Sequence, residues 1–120
     1  MEIKIKTSLT EYNGLNEEHI SNLIGTLNNN VIEYLDDIIN VKIIKNNDEL
    51  ILTRESIDYR LTFNFKSNTC EYLLKDTDTI LPIDIKVKYF ELNNNSINIK
   101  YYIDSNPSVF HFKLEYEVIQ

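Results

Sequence analysis

The chain has 120 residues, 42% hydrophobic and 26% charged, with a formal net charge of −7 and a pI of ≈ 4.7. This is one domain's worth of sequence, residues 1–120, with enough apolar content to bury a core without staples. The acidic balance and the scatter of the ten lysines argue against nucleic acid and anionic membrane as partners, since both select clustered Lys and Arg.

The lone Cys70 has no intramolecular partner, whereas a secreted β domain this small often carries a disulfide. The opening residues alternate charged and apolar, unlike the continuous apolar run of a signal peptide. No stretch approaches the roughly 20 apolar residues of a membrane helix. A cytoplasmic location is the expectation. The chain lacks Ala and has only two each of Gly, Pro and Arg, while Ile and Asn abound. This bias reads as an AT-rich bacterial genome. It also lowers helix propensity and raises strand propensity.

In chain order, Ile3, Ile5, Thr7 and Leu9 share one face of a first strand. Residues 16–24 are compatible with a short helix capped by Asn16, but a strand over about 18–27 is preferred. The turn at Asn28-Asn29-Asn30 then leads into a strand from Val31 to Leu35. Asn46-Asn47-Asp48 closes a hairpin between residues 41–45 and 49–53. Leu50, Leu52 and Arg54 share a parity, as do Tyr59, Leu61, Phe63 and Phe65. The segment Lys66 to Thr69 is a tight connection into a strand through Cys70, Tyr72 and Leu74. Residues 77–82 read as the one irregular connection. Ile83, Ile85, Val87 and Tyr89 alternate with polar residues, and Asn93-Asn94-Asn95, which tolerates positive φ, forms a hairpin loop. Ile97, Ile99, Tyr101 and Ile103 follow. Residues 104–108 form the next turn, and Phe110, Phe112, Leu114, Tyr116 and Val118 make the clearest half-buried strand. Nine or ten strands with short loops would leave two aggregation-prone edges in an open sheet. Closure into an antiparallel up-and-down barrel removes them.

The order of these segments resembles the YwiB-like family of small uncharacterised bacterial proteins. The resemblance rests on Val31-Ile32-Glu33-Tyr34 with its acidic turn, Asn40-Val41-Lys42-Ile43-Ile44-Lys45, and Glu49-Leu50-Ile51-Leu52-Thr53-Arg54. It continues through Ser96-Ile97-Asn98-Ile99-Lys100-Tyr101 and Phe112-Lys113-Leu114-Glu115-Tyr116-Glu117. It implies an all-β fold, a single calycin-like (lipocalin-like) barrel of about eight to ten strands. It implies no activity. The family follows the arginine with a Ser-Gly pair and a further glycine downstream. This chain has Glu55-Ser56 and no glycine after Gly25, which leaves the loop after Arg54 open.

Catalytic and metal motifs are absent from the sequence. His19 and His111 stand without a motif, with His111 read as a solvated or rim residue on a polar strand face. Cys70 reads as an inward apolar residue, and Asp76-Thr77-Asp78 as a solvated turn. No cofactor is expected, nor an enzyme. Arg54 follows inward parity and must be paired, with a carboxylate such as Glu91, or face a wet cavity at the barrel mouth. Tyr59, Tyr89, Tyr101 and Tyr116 also take inward parity and bring hydroxyls that need partners. The leading expectation is a non-enzymatic protein binding a small anionic or aromatic molecule at the barrel mouth. Arg54 would be the anion partner and Tyr59, Tyr101 and Tyr116 the lining. The rival is a structural or interaction module acting through its outer surface, for instance around Tyr102, with a packed interior. Either suits a monomer or homodimer.

Overall fold

The computed structural model describes residues 1–14, 16–46, 49–103 and 108–119. Ten strands run in chain order: β1 (Glu2–Tyr12), β2 (Asn16–Asn28), β3 (Val31–Asp36), β4 (Ile39–Asn46) and β5 (Glu49–Glu55). They continue as β6 (Tyr59–Asn64), β7 (Thr69–Leu74), β8 (Thr79–Leu92), β9 (Ser96–Ile103) and β10 (Val109–Val118). Each pairs antiparallel with its sequence neighbour, and β1 pairs with β10, so the sheet closes into one barrel. The stretch that allowed a helix is strand β2. The turns expected at Asn47-Asp48 and at residues 104–107 lie outside the described residues, although the strands they join pair as expected.

Period-2 alternation puts the core where the sequence pattern places it. Ile3, Ile5, Ile32, Val41, Ile43, Leu50, Leu52, Ile97, Ile99 and Leu114 are all buried inward positions. Aromatic rings fill the girth that ten strands create. Phe63 stacks on Phe65, and Tyr101 lies 5.4–5.5 Å, centroid to centroid, from Phe63, Phe65 and Phe110.

Two local expectations are corrected. Residues 79–82 are not irregular: β8 starts at Thr79 and pairs with β7 through Pro82 and on to Asp84. Asn93 to Asn95 form the β8–β9 hairpin loop as expected, while positive φ occurs at Asn29, Asp37, Asn68 and Asp78. Tyr89 does not point inward. A β-bulge between Val87 and Tyr89 shifts the register, so Phe90 and Leu92 take the inner positions and Tyr89 is exposed. One extra residue on a bulged strand inverts the parity of everything beyond it.

The loop after Arg54 is resolved without glycine. Ser56 is buried, and its Oγ accepts from the backbone N–H groups of Asp58 (3.2 Å) and Tyr59 (3.3 Å). Its own N–H donates to the Tyr59 carbonyl at 2.9 Å. A serine hydroxyl thus organises this turn, and no residue in it needs positive φ.

Gly25 is required for a different reason. It faces inward where β2 first meets β3, opposite Tyr34. A Cβ there would stand 2.6 Å from the Glu33 carbonyl oxygen, 2.6 Å from Ile5 Cδ1 and 3.1 Å from Tyr34 Cβ. The side chains of Ile5 and Tyr34 occupy the room that the glycine leaves. Gly25→Ala is therefore expected to destabilise the barrel by about 2–3 kcal/mol, because a backbone carbonyl cannot rotate away as a side chain can. Urea denaturation checks this, as a lowered midpoint at unchanged slope.

Candidate functional site

The barrel has two mouths, and each holds one cation of inward parity. The lower mouth carries the β4–β5 and β8–β9 hairpins. Lys45 points into it and donates from Nζ to the carbonyls of Asn93 (2.9 Å) and Asn94 (3.5 Å). The same ammonium lies 5.7 Å over the centre of the Tyr116 ring, and Tyr116 Oη donates to the Asn94 carbonyl at 2.6 Å. Burial lowers the Lys45 pKa. This cation and this phenol satisfy each other's surroundings and latch the lower mouth. A shallow cavity of ≈ 310 Å³ remains beside them, lined in part by Asn29, Leu92 and Asn93.

Arg54 faces the opposite mouth. It is partly buried on β5, across from Val41 and Leu61. Its neighbour Glu55 points outward and is shared by Arg60 (3.0 Å) and Lys75 (2.9 Å). Hydrogen bonds from Lys75 and then Arg60 hold the Glu55 carboxyl below the usual carboxylate range. Strand alternation thus separates Arg54 from the nearest carboxylate in sequence. The expected partner Glu91 is also excluded. The bulge in β8 leaves it on the outer wall, where it accepts from Tyr89 Oη at 3.0 Å. Among the described residues no carboxylate lies within ion-pairing distance of Arg54.

Two buried phenols share the space with Arg54. Tyr101 is 8% exposed and Tyr34 is 7% exposed. Burial raises both pKa values, that of Tyr101 to about 12, and the Arg54 charge acts in the opposite direction on each. Asp36 adds to the rise at Tyr34, and Cys70 to that at Tyr101. Among the described residues no hydrogen bond engages either hydroxyl or the guanidinium, yet no fully buried side-chain polar atom lacks a partner. These polar atoms are therefore reached by solvent. Arg54, Tyr34 and Tyr101 thus form a polar cluster at one end of a barrel whose middle is lined by buried apolar side chains.

Of the sequence-predicted residues, Arg54 and Tyr101 come together. Tyr59 sits at the rim of the same mouth, stacked on Tyr72 at 5.5 Å. Tyr116 does not join them. It lies six residues along β10 from Phe110, the partner of Tyr101, which is about 20 Å at strand spacing. Tyr34 was not singled out from the sequence, although Ile32 and Tyr34 share an inward parity that could have found it.

Other groups carry no chemistry in their present arrangement. Ser21 Oγ lies 3.2 Å from His19 Nε2 and 3.4 Å from Asp36 Oδ1. In a hydrolytic triad the acid orients the histidine, whereas here Asp36 accepts from the serine and His19 is exposed. Cys70 is buried as expected, and burial followed by the Glu71 charge pushes its thiol up to about 11, which keeps it a poor nucleophile. No group of metal-ligating side chains occurs among the described residues. Concave surfaces of ≈ 570, ≈ 530 and ≈ 510 Å³ are lined by Lys4, Lys88 and Glu33 respectively, among others, and the last of them also by Tyr34. None is lined by Arg54 or Tyr101.

His111, expected as a solvated or rim residue, is not solvated. It is 9% exposed, and its Nε2 hydrogen-bonds Asn98 Oδ1 at 2.6 Å. Burial first, then Lys113 and Lys100, lower its pKa. Thr10 stands across from it on β1, and Glu18 lies beyond, 3.5 Å from Thr10 Oγ1. A folded-state pKa below the unfolded one means that the unfolded chain takes up the proton first. The stabilisation is complete above the unfolded value of about 6.5 and is lost as pH falls through the lower folded value. The urea midpoint should therefore drop from about pH 7.5 to about pH 5.5, and drop less in His111→Gln. Equal slopes in the two proteins would assign the loss to other groups.

No family model and no curated protein matches the chain. Among solved structures, the crystal structure of the ywiB protein from Bacillus subtilis is similar, at a TM-score of 0.67 and 12% identity. The match covers 99% of this chain and 92% of that one. The resemblance drawn from strand order is thus shown as a likeness of fold, and this chain is a closed antiparallel barrel of ten strands.

Proposed function

We propose that the protein is a non-enzymatic binder of a small organic anion with an aromatic or planar apolar body, held at the Arg54 mouth. The observation that carries this reading is the contrast between the two inward cations. Lys45 is satisfied by two carbonyls and a ring, whereas Arg54 has no partner among the described residues. A guanidinium is a planar fork that matches a carboxylate or phosphate in two hydrogen bonds. Tyr34 and Tyr101 would add two hydroxyl donors, and Tyr59 an aromatic rim. A mostly apolar enclosure with a few converging polar groups is the general form of a small-molecule site. Small β-barrels can hold one small ligand in their interior, as lipocalins do. The free buried thiol of Cys70 suits a reducing compartment, so the ligand is sought among intracellular metabolites.

A thermal-shift panel of small aromatic carboxylates and their neutral amides tests this. At ten times its Kd a ligand stabilises by about 1.4 kcal/mol, a Tm rise of about 5 °C for a chain of this length. The expected result is a shift with acids and not amides, abolished in Arg54→Ala, weakened in Tyr101→Phe and unchanged in Tyr116→Phe. A panel without any shift, or a shift that survives in Arg54→Ala, overturns the reading.

A further inference from the structure

The long hairpin of β1 and β2 outruns the strand next to it. β1 pairs with β2 over its whole length, from Glu2↔Thr26 to Tyr12↔Asn16. β3 covers β2 only at residues 25–28. Residues 16–24 of β2 therefore present alternate unpaired N–H and C=O groups along a free edge, the arrangement that recruits another strand.

Proteins blunt such edges with proline, lysine, bulges or capping side chains. β8 shows these devices. Its residues 85–92 have no ladder partner on the β7 side, and there the strand carries Lys86, Lys88 and the bulge at Val87/Tyr89. Asn68 Oδ1 also caps the Val87 N–H at 3.3 Å. Residues 16–24 of β2 hold no proline, no lysine and no bulge. They hold Ile20, 51% exposed, and Ile24, 54% exposed, with Leu35, 55% exposed, at the next register position across from Ile24.

The free stretch is symmetric about Ile20, and its charges are compatible with self-pairing. An antiparallel two-fold through Ile20 would set Ile20 against Ile20, Ser21 against His19, Asn22 against Glu18, Leu23 against Glu17 and Ile24 against Asn16. Every free residue finds a partner, and no carboxylate faces another carboxylate. We infer that residues 16–24 of β2 are the seam of a homodimer in which a second copy of this chain extends the sheet across its own β2. Each copy carries a net charge of −7, so screening by salt strengthens the association.

Light scattering on the full chain at high micromolar concentration should give twice the 14.2 kDa of one chain, with the dimer fraction rising with salt. Ile20→Lys, which sets two ammonium groups face to face on the two-fold, should give the monomer. Because that variant could misfold, a crosslink supplies an independent arm. Residues directly opposite on paired strands have Cα atoms about 4.5–5.5 Å apart, within disulfide range. Ile20→Cys should thus oxidise to a covalent dimer. Thr26→Cys, on the part of β2 already paired on both sides, should not. A monomeric wild type, a dimer that survives Ile20→Lys, or equal crosslinking of the two cysteine variants overturns the proposal.

Discussion

The pairing of the first strand with the last is the interaction on which the remaining geometry depends. β1 and β10 run together from Ile3↔Val118 to Tyr12↔Val109. They close a ring in which every strand has neighbours on both sides, if not along its whole length. A closed ladder has one inside and one outside, so the parity of each strand is set by that of the next. This shared parity sends Arg54 inward and Glu55 outward. It also brings Lys45, Tyr116 and the Asn93 and Asn94 carbonyls into a single mouth.

Ten strands enclose more width than aliphatic side chains fill easily, and the chain fills it unevenly. Through the middle and lower barrel, isoleucines, leucines and stacked phenylalanines form a dry core. Toward the upper mouth the inward positions become Tyr34, Arg54, Tyr59, Tyr72 and Tyr101, and the tyrosine rings close off part of the width. Gly25 shapes this end too, because its missing side chain gives Tyr34 and Ile5 their room. Packing and the candidate site are therefore parts of one solution to the same girth.

Unequal strand length has the opposite effect at the ring's edges. β2 and β8 outlast their shorter neighbours β3 and β7, and closure removes edges only where strands overlap. β8 meets this with a bulge and lysines, and the same bulge sends Tyr89 and Glu91 to the outer wall. β2 has no such device over residues 16–24. One irregularity thus protects an edge and removes Glu91 from the inner face that strand parity alone would give it.

Much of the fold was legible in the sequence because period-2 alternation is a local property. Phe110 to Val118, Ile97 to Ile103 and Ile3 to Leu9 show it openly, and Asn, Asp and Ser mark most of the turns. Parity also identified Arg54 and Tyr101 as inward. It failed at Tyr89, where a single bulge residue inverts the face without leaving a signature in hydrophobicity. It also said nothing of height along the barrel, so Tyr116 was grouped with residues about 20 Å away. The burial of His111 on an outward face depends on side chains from neighbouring strands, which no single strand reveals. By itself the sequence determined that the chain is all-β, closed and lined by particular residues, since alternation and turn chemistry act over a few neighbours. Only the tertiary structure decided which inward cation is satisfied and which edge stays open. Those outcomes depend on register and strand overlap between segments far apart in the chain.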